Sequence, residues 1–174
     1  MRNRQKGFSL IELLIVVAII LIIAAIAIPN LLRSRIAANE SSAVGSLRTI
    51  VTSQVTYATT YPTVGFAGNL ADMAPAAGVP GSTSADLLDA QLSSGLKSGY
   101  AFSDTACQDA CPAGNAFATT TANGVIVTFE IYAGPVSQNR TGIRNFCTNE
   151  GGVIRQGTNP TTDCDFTTTS PPVG

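Results

Sequence analysis

The sequence predicts an α+β protein: one long amino-terminal α-helix followed by a head built on an antiparallel β-sheet. Three patterns carry that prediction. From Phe8 to Ile28, 19 of 21 residues are apolar, interrupted only by Ser9 and Glu12, and an apolar run of that length reads as a helix able to span a bilayer. Beyond it, apolar residues recur near helical spacing as far as Ala58. Farther on, Val125–Ala133 alternates its side chains with the period of a strand, directly after Asn123-Gly124, the dipeptide of a two-residue hairpin turn. The chain therefore divides into a basic leader at 1–7, an apolar helix at 8–28, an amphipathic continuation at 29–60 and a head at 61–174.

Composition removes several kinds of chemistry at once. The 174 residues include no histidine and no tryptophan, so histidine triads and histidine metal sites are impossible. Arg2, Arg4 and Lys6 all precede the apolar run. Without residues 1–7 the chain holds seven basic and eleven acidic residues, a net charge of −4 in place of −1, and that balance offers no basic footprint for nucleic acid.

A helix of 21 residues at about 1.5 Å per residue spans roughly 31 Å, the hydrocarbon thickness of a bilayer. The leading cations orient Met1–Lys6 toward the cytoplasm and the chain after Pro29 across the membrane. A cleaved secretory signal, with Ala25-Ile26-Ala27 as its small-x-small site, fits the run, and so does a plain signal anchor. Neither explains Glu12, since insertion scales charge an acidic side chain about 2.5–3.5 kcal/mol at mid-membrane. Cleavage between Gly7 and Phe8 supplies a reason. Phe8 would then carry a cationic α-amine with Glu12 one helical turn later, and the carboxylate of one subunit could pair with the amine of its neighbour.

At this point the stretch KGFSLIELLIVVAIILIIAAIAIPN, residues 6–30, resembles the amino terminus of type IV prepilins and of the related pseudopilins of type II secretion. The resemblance implies a pilin fold. It implies that Gly7 precedes the cut made by the prepilin peptidase, that Phe8 becomes the N-methylated terminus, and that Glu12 neutralises the Phe8 amine of an adjacent subunit. It also implies that Pro29 bends the helix, by removing a hydrogen bond to Ala25. One departure stands out: many pilins have glycine where this chain has Leu21, so easy unwinding of the helix between that point and Pro29 is not implied here. The partners implied are further copies of the chain in a helical polymer, the prepilin peptidase, the inner membrane before assembly and the pilus assembly machinery.

The helix is expected to continue past Pro29 on a stripe of Leu31, Leu32, Ile36, Ala43, Leu47, Ile50, Val51, Val55 and Ala58, with Arg33, Arg35, Glu40, Arg48 and Thr49 largely off it. Gly45 costs about 1 kcal/mol against alanine in a helix interior. The helix should end at Tyr57–Tyr61, before Pro62. Residues 62–83 read as a connection rich in proline and glycine, with a turn of helix at Asn69–Met73. A helix is then expected at 85–96, capped by Ser84, helped by Asp86 at its amino end and packed through Leu87, Leu88, Leu92 and Leu96. Asp86 and Asp89 read as solvated carboxylates. Strands are expected at Gly99–Ser103, Ala116–Thr121, Val125–Ala133, Ile143–Thr148 and Val153–Gln156, making a sheet of four or five strands laid against the long helix.

Cys107, Cys111, Cys147 and Cys164 all fall outside the cytoplasm on this topology, which argues for two disulfides. Three connectivities are open. The favoured one joins Cys107 to Cys111 in a tight loop and Cys147 to Cys164, the latter resembling the C-terminal disulfide loop of many pilins. A zinc site is the weaker alternative, because the spacing is not a repeated C-x₂-C and histidine is absent. Asp163, Asp165 and Glu150 form a remote calcium candidate, since calcium needs six to eight oxygen ligands; otherwise no cofactor is expected. Asn39-Glu40-Ser41 and Asn139-Arg140-Thr141 match the glycosylation sequon.

No phosphate-binding glycine loop, nucleophile elbow or buried carboxylate pair supports an enzyme. The function expected is that of a major pilin, a structural subunit that moves from the inner membrane into an extracellular filament. The alternatives are a type II secretion major pseudopilin in a short periplasmic pseudopilus and a membrane-anchored adhesion module that does not polymerise.

Overall fold

The computed structural model describes residues 8–103, 118–157 and 171–173. Helix α1 runs from Leu10 to Thr60, 51 residues with Pro29 inside it and no interruption at Leu21 or Pro29. Its end agrees with the expected stop before Pro62. By contact density the chain divides into two compact units, Met1–Arg35 and Ile36–Gly174, with α1 contributing to both.

In the second unit the buried face of α1 follows an alternating spacing of four and three: Glu40, Ala43, Leu47, Ile50, Gln54 and Tyr57 are all buried. The expected stripe was right at Ala43, Leu47 and Ile50. It was wrong at Val55, which is exposed, and at Glu40, which lies on the buried face. On the opposite face Thr49, Thr52, Thr56 and Thr60 each donate a hydroxyl hydrogen bond to the carbonyl four residues earlier.

A 3₁₀ turn, Leu70–Met73, occupies the expected position and buries Leu70 and Met73. The helix expected at 85–96 is largely absent. Only α2, Ala90–Ser93, forms there, and its cap is Asp89 rather than Ser84: the Asp89 carboxylate accepts from the backbone of Gln91 and Leu92, both at 3.0 Å. Two tertiary facts prevent a longer helix. Asp86 has φ 56°, a left-handed conformation, and the backbone N–H groups of Leu87 and Leu88 donate to the Met73 carbonyl. Ser84 instead donates its hydroxyl to carbonyls at Ala74 and Pro75.

Among the described residues the sheet has six strands: β1 Leu96–Lys97, β2 Tyr100–Ser103, β3 Ala118–Ala122, β4 Val125–Pro135, β5 Asn145–Asn149 and β6 Arg155–Gly157. All pairings are antiparallel, in the order β1-β2-β4-β5-β6, with β3 also on β4. Glu130 pairs with Ala118 and Asn149, while Ala133 pairs with Phe102 and Phe146. Thus β2 and β3 follow each other along one edge of β4 and β5 takes the other. Both two-residue hairpins turn on left-handed pairs, Ser98-Gly99 with φ 51° and 75° and Asn123-Gly124 with φ 53° and 81°, as the twist of paired strands requires. A register shift opposite Thr120 and Thr121 breaks the alternation of β4. Val127 is therefore exposed, whereas Phe129, Ile131 and Ala133 are buried. Residues 171–173 lie beside β6, the N–H of Gln156 donating to the Pro171 carbonyl and that of Val173 to the Ile154 carbonyl.

The core joins α1 to the inner face of the sheet through Leu47, Ile50 and Tyr57 against Tyr100, Phe102, Phe129, Ile131 and Phe146, with Leu70, Met73, Leu88 and Leu92 filling the remainder. Each such side chain contributes about 1.5–3 kcal/mol when taken from water.

Candidate functional site

The amino-terminal stretch that the sequence singles out is helical and uncovered. Every residue from Phe8 to Ile28 is exposed except the half-buried Ala24. Among the described residues, α1 is the helix long and apolar enough to cross a membrane. Aliphatic residues hold this stretch in helix without Gly or Pro until Pro29. Pro29 is exposed and the helix continues through it, the cost of one missing hydrogen bond being borne by the turns on either side.

Glu12 stands three residues into the helix, and its Oε2 accepts the Ser9 backbone N–H at 3.2 Å. That is one half of a capping box, Ser9-Leu10-Ile11-Glu12, in which the acid at the third helical position satisfies the N–H of the cap residue. Ser9, an interruption of the apolar run in the sequence, is thus the cap residue, and S-x-x-E before an apolar run is the signal for this arrangement. The other Glu12 oxygen has no partner among the described residues. Phe8 is exposed just before the start of α1, and Gly7 lies outside the described residues.

In the second unit, a set of polar side chains on α1 fastens the head. Buried Glu40 accepts through Oε1 from the backbone N–H groups of Ile143 and Arg144 at 3.0 and 3.1 Å, and its Oε2 receives the Arg144 guanidinium at 2.8 and 2.7 Å. Arg144 also donates to Gln156 at 2.8 Å and stands 5.5 Å from the centre of the Phe146 ring. Asn39 donates to the Thr141 carbonyl, and the Ser42 hydroxyl donates to the Ser98 hydroxyl. Lower down, buried Gln54 closes a two-way pair with the Ala67 backbone at 3.1 and 2.8 Å. Tyr57 donates to the Ser82 carbonyl and Tyr100 to that of Arg144. Burial, and then the Glu40 carboxylate, push the Tyr100 phenol well above its ordinary value. Burial also raises Tyr57, helped by Asp72. The four-three spacing through Glu40 and Gln54 was the signal that could have found these two, had polar residues been admitted to the stripe.

The remaining sequence candidates separate. Asp89 is held below the usual carboxylate range first by its hydrogen bond from Lys97 at 2.8 Å and then by the Leu92 N–H, so it is a cap with an ion pair. Asp86 is exposed with no side-chain partner among the described residues. Cys147 is buried on β5 and disulfide-bonded, while Cys107, Cys111 and Cys164 lie outside the described residues, so the expected pairing does too. Asp163 and Asp165 also lie outside them; Glu150 is exposed in the β5–β6 turn. Of the two sequons, Asn39 is tied to Thr141, and Asn139 is exposed at φ 61°.

Residues 2–28 match the model of the prokaryotic N-terminal methylation motif. Over 57 residues the chain is 54% identical to the type IV wide pilus major component PilA4 of Thermus thermophilus, a match that covers 33% of this chain and 43% of that protein. The amino terminus of the chain is thus similar to that of a type IV pilin. A second relative, the type IV major pilin protein PilA of Myxococcus xanthus, is 48% identical over 54 residues, 31% of this chain and 24% of the relative. The chain thus matches less than half the length of each of these curated relatives. No solved structure matches. The pilin-type terminus contains Phe8, Glu12 and the exposed apolar helix, and the head beyond it is described here from its own geometry.

Proposed function

We propose that this chain is a major pilin, a structural subunit that polymerises through its amino-terminal helix into an extracellular type IV pilus. The observation that carries the reading is the exposed apolar helix, matching a methylation motif over residues 2–28 and holding one Glu12 carboxylate oxygen with no partner among the described residues. Such a surface is stable only in lipid or against copies of itself. In the reading, the prepilin peptidase cuts after Gly7, Phe8 becomes the methylated terminus, and its amine is neutralised by Glu12 of an adjacent subunit. The helix first anchors the subunit in the inner membrane, then leaves lipid for the shared core of the filament with the help of the assembly machinery. Pro29 accommodates bending between the core-forming stretch and the rest of α1. The Cys107–Cys111 and Cys147–Cys164 pairs staple the head outside the cytoplasm. The reading gives the chain no catalytic residue.

Negative-stain microscopy of material sheared from cells producing the chain, with mass spectrometry of its amino terminus, tests this. Long fibres whose subunit begins at N-methylated Phe8 are expected. Processed subunit without long fibres at natural expression would replace the reading by a short periplasmic pseudopilus. Unchanged surface function in a Glu12→Ala strain would replace it by a non-polymerising anchored adhesion module.

A further inference from the structure

We propose that a groove beside Arg48 receives an exposed carboxylate, Glu150 or Asp86, from a second copy of this chain. The inference rests on the filament reading and deepens it by naming a contact between heads and stems. The groove belongs wholly to the Ile36–Gly174 unit and has a volume of about 510 Å³. Its floor is a strip of α1 with Ala37, Ser41 and Gly45 at successive turns, leading to Arg48; Arg144 and Val173 stand at its walls.

The charges in the groove are not balanced. Arg144 is neutralised by Glu40 at 2.7 Å and further engaged by Gln156. Arg48 is exposed, and its side chain makes no ion pair or hydrogen bond among the described residues. Among the described residues, one guanidinium is therefore left uncompensated at the end of a trough wide enough for a side chain.

Gly45 gives a second reason to place a partner there. Glycine is the least favourable residue in a helix interior after proline. A Cβ added at Gly45 would meet nothing within 4 Å, so no crowding inside the subunit calls for glycine at this position. Close approach by another chain does.

The complementary charge is carried by exposed acids of the head. Among the described acids of the head, Glu40 and Asp89 are paired with cations, Asp72 accepts the Asn69 backbone N–H and Glu130 receives the Tyr132 hydroxyl. Glu150 and Asp86 are exposed without side-chain partners among the described residues. Glu150 sits in the tight β5–β6 turn and is followed by Gly151 and Gly152, so its carboxylate can enter a groove without bulky neighbours striking the rim. A basic patch and an acidic patch on one chain make a heterologous contact, which repeats from copy to copy and builds open polymers unless its rotation closes a ring.

The test uses the full chain in the producing cell, scored by the yield of sheared filaments and by the melting of purified protein. Arg48→Glu is expected to lower the yield at least about tenfold, because like charges are then juxtaposed at every repeat, with melting unchanged. Glu150→Arg or Asp86→Arg, added to Arg48→Glu, restores the yield. Gly45→Leu and, less steeply, Gly45→Ala, both of which improve helix propensity while filling the trough, lower the yield without lowering the melting temperature. Full yield from Arg48→Glu, or failure of both reversals to restore it, overturns the pairing. A wild-type chain that makes no filaments overturns the filament reading instead, so the two fail separately.

Discussion

Between Leu10 and Ile28, α1 buries none of its leucines or isoleucines, whereas between Glu40 and Tyr57 the same helix hides side chains in every turn, among them the polar Glu40, Ser46, Ser53 and Gln54. The first stretch is apolar and has no apolar partner among the described residues. The second is half polar and is packed against a sheet. Helical hydrogen bonds are indifferent to the distinction, because each is closed within its own turn. What differs is where the solvent-avoiding surface is satisfied: inside the subunit for the second stretch, by lipid or by other copies for the first. Burial therefore follows partner availability here, and hydrophobicity alone would have assigned the two halves the wrong way round.

Substitutions on either side of this divide should have separable effects. Glu12→Ala is expected to have the largest: loss of filaments in the producing cell with the melting of the head unchanged, checked by shearing yield and by circular dichroism of purified protein. A loss of head stability would break the separation. Glu40→Ala acts on the other side. It leaves two backbone donors and the Arg144 guanidinium without their acceptor, and a cost of about 3 kcal/mol is expected, the low end for a broken buried pair because Arg144 is partly exposed. Chemical denaturation measures it.

Gly142→Ala should cost about 2 kcal/mol by overpacking, since its new Cβ falls on the Tyr100 hydroxyl; the same denaturation series checks it. Asp89→Ala is the mildest, about 1 kcal/mol for loss of the α2 cap. Its pH dependence has a definite sign. The Asp89 carboxyl is lowered in the folded state, so its contribution is present above the ordinary carboxylate pKa and is lost as pH falls through the lowered folded value. The difference in stability between wild type and Asp89→Ala should accordingly narrow on acidification, as read by melting curves at a series of acidic pH values.

Much of this arrangement could be read from residues alone, for identifiable reasons. The apolar run and its Glu12 are local and extreme. Asn123-Gly124 specifies a hairpin because both residues tolerate positive φ, and the turn is there. The strands were placed to within a few residues, although the two-residue β1 was missed, being too short to carry a period. The helix expected at 85–96 failed because its leucines fit a helical face equally well as anchors of a loop, and the Met73 carbonyl takes the N–H groups that a helix would have used. Glu40 was passed over because a carboxylate on a core stripe is improbable until its donors are known, and those donors lie more than a hundred residues along the chain. Local rules reach turns and caps; they do not reach partners supplied by the fold.

The back-bonded threonines of α1 lead to one further consequence. Counted by type, Thr49, Thr52, Thr56 and Thr60 make the outer face of the helix polar. Each hydroxyl, however, already gives its proton to a carbonyl of its own helix, which leaves the methyl group as the outward-facing chemistry. Such a row can pass from wet to dry surroundings without stranding a donor, so its affinity for water is much weaker than its letters suggest.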